Sequence, residues 1–219
     1  MKVCIIVKKN KPYIDKIIKL LKKKFNNLDV YFGDYGDDYP KNLNNKRYDI
    51  LISYLSPWII NQKTLSKVKL FSLNFHPGPP EYPGIGCYNF AIYNNEINYG
   101  VTVHLMDKTV DTGKIIKVNK FKISKKITVN ELIDKSYKSM FSLFKYVLKN
   151  MIVKKKLIFS NDNWKRKPFK RNEFKKLLII KKDMSSNEIK KRIRATYFKG
   201  SSGPYIKLAG KKFELYKND

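Results

Sequence analysis

The chain has 219 residues, enough to bury one sizeable core and carry a small appended module. Hydrophobic residues at 42% and aromatic residues at 14% exclude a wholly disordered chain, and no apolar run approaches the roughly 18–20 residues that span a bilayer. A formal charge of +29, from 47 basic and 18 acidic residues, suits a phosphate-bearing partner, but the lysines are spread along the chain and form no single basic stripe for nucleic acid.

Met1 to Lys8 reads as a buried strand, too short an apolar run for a signal peptide, so a cytoplasmic location is expected. Pro12 to Phe25 carries Ile14, Ile17, Ile18 and Leu21 at helical spacing with lysines opposite, and Leu28 to Phe32 returns as a strand. The intervening loop, Lys8-Lys9-Asn10-Lys11-Pro12, contains no glycine and so lacks the cradle of a dinucleotide oxidoreductase. Asp49 to Tyr54 and Leu70 to His76 are further strands, and their alternation with helical or turn segments predicts a mostly parallel sheet of Rossmann-like α/β type.

Gly86 to Asn95 reads as a short helix, Gly100 to Asp107 and Ile115 to Ile123 as strands, and Val129 to Asn150 as a long amphipathic helix. The pattern turns polar from Phe159 to Arg171, which predicts a main domain over 1–160 and a small C-terminal module over 161–219. In that module Ser185-Ser186-Asn187-Glu188 has capping-box spacing ahead of a helix from Asn187 to Thr196. Gly203 to Leu208 and Lys212 to Tyr216 follow as a β-hairpin. Cys4 and Cys87 give neither a disulfide framework nor metal-ligand spacing, so two free thiols and no metal are expected.

Asn74 and His76 stand two apart in a strand and therefore share a face. Pro77, Gly78, Pro79 and Pro80 end the strand, so His76 lies near its carboxyl end, where open α/β sheets place ligands, and the chemistry is expected in an edge crevice. A loop Asp followed by Thr-Gly, as in Val110-Asp111-Thr112-Gly113, is in itself a common turn former. Together the three side chains bring an amide, an imidazole and a carboxylate within reach of one reacting centre.

Asn74-Phe75-His76-Pro77, Tyr82-Pro83-Gly84, the strand Gly100 to His104 and the loop Val110 to Gly113 resemble, in order and spacing, the 10-formyltetrahydrofolate-dependent formyltransferases. The likeness in fold pattern runs from about Met1 to about Lys122. The tail, with Trp164-Lys165-Arg166-Lys167-Pro168, Arg192-Ile193-Arg194-Ala195-Thr196, Gly203-Pro204-Tyr205 and Gly210 to Leu215, resembles the short members that act on nucleotide-linked amino sugars.

Formyl transfer to an amine passes through a tetrahedral intermediate, which calls for a donor aimed at the oxyanion and a group that manages the proton. The resemblance implies that Asn74 orients and stabilises the formyl oxygen and that His76 acts as general acid or base. Asp111 would orient the imidazole or accept the amine's proton, and His104 reads as a packed histidine. It also implies 10-formyltetrahydrofolate as the formyl donor, its pteridine held largely by backbone groups of Pro57, Trp58 and Ile59 and of Asp107, Lys108, Thr109, Val110 and Asp111.

The loop after the first strand departs from the Gly-Ser-Asn form of the glycinamide ribonucleotide transformylases, and the tail is short for the RNA-binding domain of the methionyl-tRNA enzymes. The resemblance therefore leads to an N-formyltransferase for a nucleotide-linked amino sugar, a dTDP-4-amino-4,6-dideoxyglucose, working as a homodimer. Tyr82, Tyr88, Asn89 and Arg194 are the candidate contacts to sugar or phosphate, although Pro79-Pro80-Glu81-Tyr82 departs from the family's commoner loop. Two alternatives stay open: an RNA-binding protein like the methionyl-tRNA formyltransferases, and a hydrolase of the formyl donor.

Overall fold

The computed structural model describes residues 1–198 and 203–215. Its strands are β1 (Lys2–Lys8), β2 (Asn27–Gly33), β3 (Tyr48–Tyr54), β4 (Val68–His76), β5 (Asn98–Leu105) and β6 (Ile115–Lys122), in the spatial order β2-β1-β3-β4-β5-β6. The first four pair in parallel, and β5 runs antiparallel to both β4 and β6. The sheet is thus mostly parallel, as the strand–helix alternation predicts. It is built around helices α1 (Ile14–Lys22), α2 (Gln62–Leu65), α3 (Cys87–Tyr93) and α4 (Val129–Val147).

Alternation along the strands divides the sheet into two faces. Ile5, Ile52, Leu73, Phe75, Val101 and Val103 pack with Ile17 and Leu21 of α1 and Met140, Phe144 and Val147 of α4. Cys4, Ile6, Tyr48 and Leu51 build a smaller core on the other side with Leu43 and Ile60. Asn74 and His76 therefore leave β4 on the face opposite the buried Leu73 and Phe75, as their spacing requires. β4 is a central strand and His76 closes its carboxyl end, where the proline-rich run that follows places it.

Helix α4 begins on a full capping box, Thr128 with Glu131, and ends in a π-helical turn over Leu148–Ile152. The polar stretch that follows leads to α5 (Arg171–Leu178) and β7 (Ile179–Ile180), two elements the sequence patterns do not announce. Next come α6 (Ser186–Thr196), β8 (Tyr205–Leu208) and β9 (Lys211–Glu214), with β7, β8 and β9 forming a separate three-stranded sheet. Of the expected hairpin, Tyr216 lies outside the described residues. Only half of the expected capping box forms at α6. Ser185 accepts the Glu188 N–H, while the Glu188 carboxylate takes Arg192 and the Tyr93 hydroxyl instead.

The tail packs closely on the sheet domain. Asn89 of α3 donates to the Ala195 carbonyl of α6 at 2.7 Å, and Ala195 lies in one buried cluster with Tyr82, Ala91, Ile92, Tyr99 and Phe169. No helix among the described residues is long and apolar enough to cross a membrane. Phe75 lies under the carboxyl end of β4, its ring 5.6 Å from Tyr54 and 5.4 Å from Phe144. Phe75→Ala is expected to cost about 3–5 kcal/mol, measured as a fall in the urea midpoint of unfolding.

Candidate active site

Antiparallel pairing sets His104 of β5 directly opposite Asn74 of β4, so the two side chains meet on one face. The pairing of β5 with β6 shifts register at His104, a bulge of the kind that re-aims side chains beside functional sites. Beyond β5 the chain turns through Val110-Asp111-Thr112-Gly113 back to β6. Gly113 makes that return possible, since a Cβ there would lie 1.9 Å from the Leu105 carbonyl oxygen. Asp111 itself takes a left-handed backbone, φ 49°, which Asp tolerates better than most residues.

This conformation delivers the Asp111 carboxylate into the face made by β4 and β5, where it is 4% exposed. Oδ2 accepts the Gly84 N–H at 2.8 Å and faces His76 Nδ1 at 3.1 Å. Oδ1 accepts an Asn74 Nδ2–H at 3.1 Å and faces His104 Nε2 at 3.2 Å. Four groups from three segments thus converge on one carboxylate. Burial by itself would raise the Asp111 pKa, but the two imidazoles and the Gly84 amide outweigh it and hold the group well below the ordinary carboxylate range.

Hydrogen-bond direction assigns the remaining protons. His104 Nδ1 stands 2.7 Å from the Leu105 carbonyl and must donate to it, so the neutral ring has a lone pair at Nε2 that accepts from Asn74 Nδ2 at 3.0 Å. Because Asp111 can only accept, the Asn74 atom facing it is the amino nitrogen, and that nitrogen splits its two hydrogens between Asp111 and His104.

His76 Nε2 faces the Tyr82 carbonyl at 2.9 Å, so both its ring nitrogens stand against oxygens. Burial lowers the His76 pKa against the pull of Asp111 and Tyr82, which favours the neutral ring. A charged acceptor makes the stronger bond, so its proton belongs on Nδ1 and the basic lone pair on Nε2. This leaves a base whose tautomer is fixed by a carboxylate.

The loop 77–86 closes over this cluster. Thr102 donates to the Gly78 carbonyl at 2.8 Å and Tyr99 to the Pro77 carbonyl at 3.2 Å. Gly84 has φ 85°, and a Cβ there would lie 2.4 Å from the Phe169 carbonyl oxygen. Cys87 lies beneath, its thiol pushed up to about 12 by burial, and so takes no part as a thiolate at neutral pH. Among the described residues no group of three or more His, Cys, Asp or Glu is arranged to hold a metal ion.

Residues 37–147 match the model of the formyl transferase family. This chain belongs to the formyl transferase family. It is 33% identical over 193 residues to the bifunctional polymyxin resistance protein ArnA of Wigglesworthia glossinidia brevipalpis, covering 82% of this chain and 29% of that protein. It is 30% identical over 106 residues to the methionyl-tRNA formyltransferase of Finegoldia magna, covering 44% of this chain and 34% of that one. The chain spans about a third of the length of these curated relatives.

Among solved structures, a sugar N-formyltransferase from a Shewanella species superposes with a TM-score of 0.83 at 20% identity, over 98% of this chain and 96% of that one. A 4-N formyltransferase from Francisella tularensis gives 0.79 at 22% identity, over 99% and 98%. The Helicobacter canadensis N-formyltransferase, solved with folinic acid and dTDP-3-aminofucose, gives 0.72 at 24% identity, over 97% and 86%. These likenesses establish the formyl transferase fold from end to end of the chain.

The residues singled out from the sequence fall into two groups. Asn74, His76 and Asp111 come together, with His104 as a fourth member that a sequence reading takes for a packed histidine. Pro57, Trp58 and Ile59 lie in the loop after β3, and Asp107 to Val110 in the loop after β5. Met106 and Trp58 pack against the same small core, so the two loops are neighbours. The Trp58 indole is itself committed, donating to the Asp37 carbonyl at 2.8 Å and lying against Gly33.

The four acceptor candidates are mostly engaged inside the protein. The Tyr82 hydroxyl donates to Glu96 at 2.6 Å, and its ring stacks on Phe169. Asn89 holds the Ala195 carbonyl, and Arg194 donates to the carbonyls of Ile92 and Lys125 and to Asn95 Oδ1. Tyr88 differs, since its buried hydroxyl has no hydrogen-bond partner among the described residues.

Asn also tolerates a left-handed backbone, so Asp111→Asn removes the charge with little change of conformation. A carboxylate whose pKa is depressed by folding contributes stability above its unfolded pKa and loses it as the pH falls toward the folded value. The stability advantage of the native chain over Asp111→Asn is therefore expected to be full at pH 7 and to shrink below about pH 4, followed by urea unfolding at pH 7 and pH 3.

Proposed function

We propose that this chain is an N-formyltransferase that moves a formyl group from 10-formyltetrahydrofolate to the amine of a nucleotide-linked amino sugar. The observation that carries the proposal is the convergence of Asn74, His76 and His104 on the buried Asp111 carboxylate at the carboxyl end of β4. Acyl transfer between two nitrogens needs an oxyanion donor and a base of fixed tautomer side by side, and this cluster contains both.

The residues present fit a folate. Ile59 and Val110, 72% and 41% exposed, offer apolar surface on two adjacent loops. From Pro57 to Ile60 the chain makes no backbone–backbone hydrogen bond among the described residues; the Trp58 N–H and carbonyl are taken by Ser56 Oγ, which leaves the backbone groups of Ile59 to meet a polar ring edge. Pro57, Trp58, Ile59 and the run Asp107 to Asp111 would hold the pteridine between them. When bound, the folate supplies the formyl carbon and a nitrogen leaving group.

The chain's own residues do the rest. Asn74 turns one Nδ2 hydrogen from its internal partners toward the formyl oxygen as negative charge develops there. His76, its Nδ1–H held by Asp111, uses Nε2, once the Tyr82 carbonyl that faces it moves aside, to take the proton that the attacking amine gives up and returns it to the departing nitrogen. His104 keeps the Asn74 amide oriented through its Nε2 lone pair. Closure of loop 77–86 keeps water from competing with the amine.

The finer reading is a dTDP-4-amino-4,6-dideoxyglucose acceptor used in polysaccharide biosynthesis by a cytoplasmic homodimer. It is supported by the end-to-end likeness to the 4-N enzyme of Francisella tularensis. Tyr88, with its unpartnered buried hydroxyl, is the strongest of the four proposed acceptor contacts; Tyr82, Asn89 and Arg194 would act through the loop and helix they fix.

A panel of nucleotide-linked 3-amino and 4-amino sugars, supplied with the formyl donor, tests reaction and regiochemistry together. Asn74→Ala and His76→Ala are each expected to lower kcat by at least about 100-fold while the circular dichroism spectrum is kept. Native-like rates in either variant, or formate release without any amine, would count against the proposal.

A further inference from the structure

The segment from Ser160 to Lys170 lies outside the part of the chain that matches the family model, yet it binds both loops of the site. Toward the Asp111 loop, Ser160 N–H donates to the Ile115 carbonyl at 3.1 Å, and Trp164 Nε1–H to the Gly113 carbonyl at 2.8 Å. Toward the loop over His76, Lys165 N–H donates to the Pro80 carbonyl at 3.0 Å and Phe169 N–H to the Pro83 carbonyl at 2.9 Å. Ile85 N–H answers from that loop to the Phe169 carbonyl at 3.0 Å. Phe169 then wedges its ring between Tyr82 and Phe90, with the Arg166 guanidinium over it.

This strap brings Trp164 against both imidazoles. Its ring lies 5.9 Å from His76 at an interplanar angle of 72° and 5.0 Å from His104 at 87°, edge-to-face in each case. Each histidine is otherwise fixed by hydrogen bonds in its own ring plane, to Asp111 for His76 and to Asn74 and Leu105 for His104. Such bonds resist rotation poorly once water offers replacements. A half-buried indole beside both rings supplies the missing lateral restraint and lowers the local dielectric, which strengthens every bond to the carboxylate.

We propose that Trp164 is a positioning residue of the formyl-transfer site, holding the His76 and His104 rings against Asp111 and keeping water from the carboxylate. The inference rests on the functional reading above, and it makes the tail a working part of the site. With the indole gone, two consequences follow. The imidazoles lose orientation, and water gains access to the formyl carbon as a rival nucleophile, releasing formate and leaving the amine unformylated.

The chain contains only two histidines, both in contact with Trp164, so their ring-proton NMR signals report on the site without any assay of activity. The groups facing His76 are Asp111, the Tyr82 carbonyl, His104 and the indole. Removing the last relieves the burial that disfavours protonation, so the His76 titration moves upward.

The experiment compares Trp164→Leu, which keeps apolar bulk, with Trp164→Phe, which keeps an aromatic ring. In the Leu variant kcat is expected to fall at least about 10-fold with the acceptor KM within about 2-fold, formate release to rise, and the His76 midpoint to shift upward. The Phe variant is expected to recover most of all three. A Leu variant with native histidine titrations and native partition between transfer and formate overturns the proposal. If the native chain transfers no formyl group, the functional reading fails, and the NMR shift alone then decides whether Trp164 positions the histidines.

Discussion

A single ionised carboxylate, buried where water cannot reach it, constrains the rest of this structure. A buried charge is tolerated only when its lone pairs are met by donors, and Asp111 is met by the Gly84 N–H, an Asn74 Nδ2–H and the His76 Nδ1–H. Each partner comes at a conformational cost borne elsewhere: a left-handed Asp111, a Gly113 against a carbonyl, and a Gly84 whose backbone only glycine adopts without strain. The chemistry proposed for the site follows from the same arrangement. A carboxylate held ionised fixes the imidazole tautomer, and an amide shared between two acceptors is already oriented before a substrate oxygen arrives.

The sheet supplies the rigid part of that arrangement. β4 ends at His76, and its neighbour on one side runs antiparallel, so a strand carrying His104 passes directly beside Asn74 and then turns to present Asp111. An all-parallel sheet would have needed a crossover there and would have placed the returning strand differently. The packing of Phe75 on Tyr54 and Phe144 fixes the far face of the same strand end, so hydrophobic burial and the geometry of the candidate site are two sides of the pair Phe75 and His76. The tail then closes the site from above, tying the Asp111 loop to the proline-rich loop.

Much of this was legible in the sequence because it rests on local periodicity. Strand alternation placed Asn74 and His76 on one face, helical spacing placed Ile14, Ile17 and Leu21, and the proline-rich run after His76 marked the strand end. What rests on register between distant segments was not legible. His104 joins the site through its pairing with Asn74 across a long connection, and nothing local distinguishes it from a packed histidine.

Trp164 and β7 escaped as site and sheet members for the same reason: their partners lie far away in sequence, and β7 is only two residues long. Asn89 and Arg194 have a role that no local pattern announces. Both dock α6 on α3.

The central claim is that this cluster transfers a formyl group to an amine. Incubating the protein with a nucleotide-linked 4-amino sugar and a donor carrying an isotopically labelled formyl group, and following the label by NMR, tests it most directly. The account predicts a formamide signal on the sugar that depends on the native chain and is lost in Asp111→Asn. Label recovered only as formate, or a formamide signal undiminished in that variant, would contradict it.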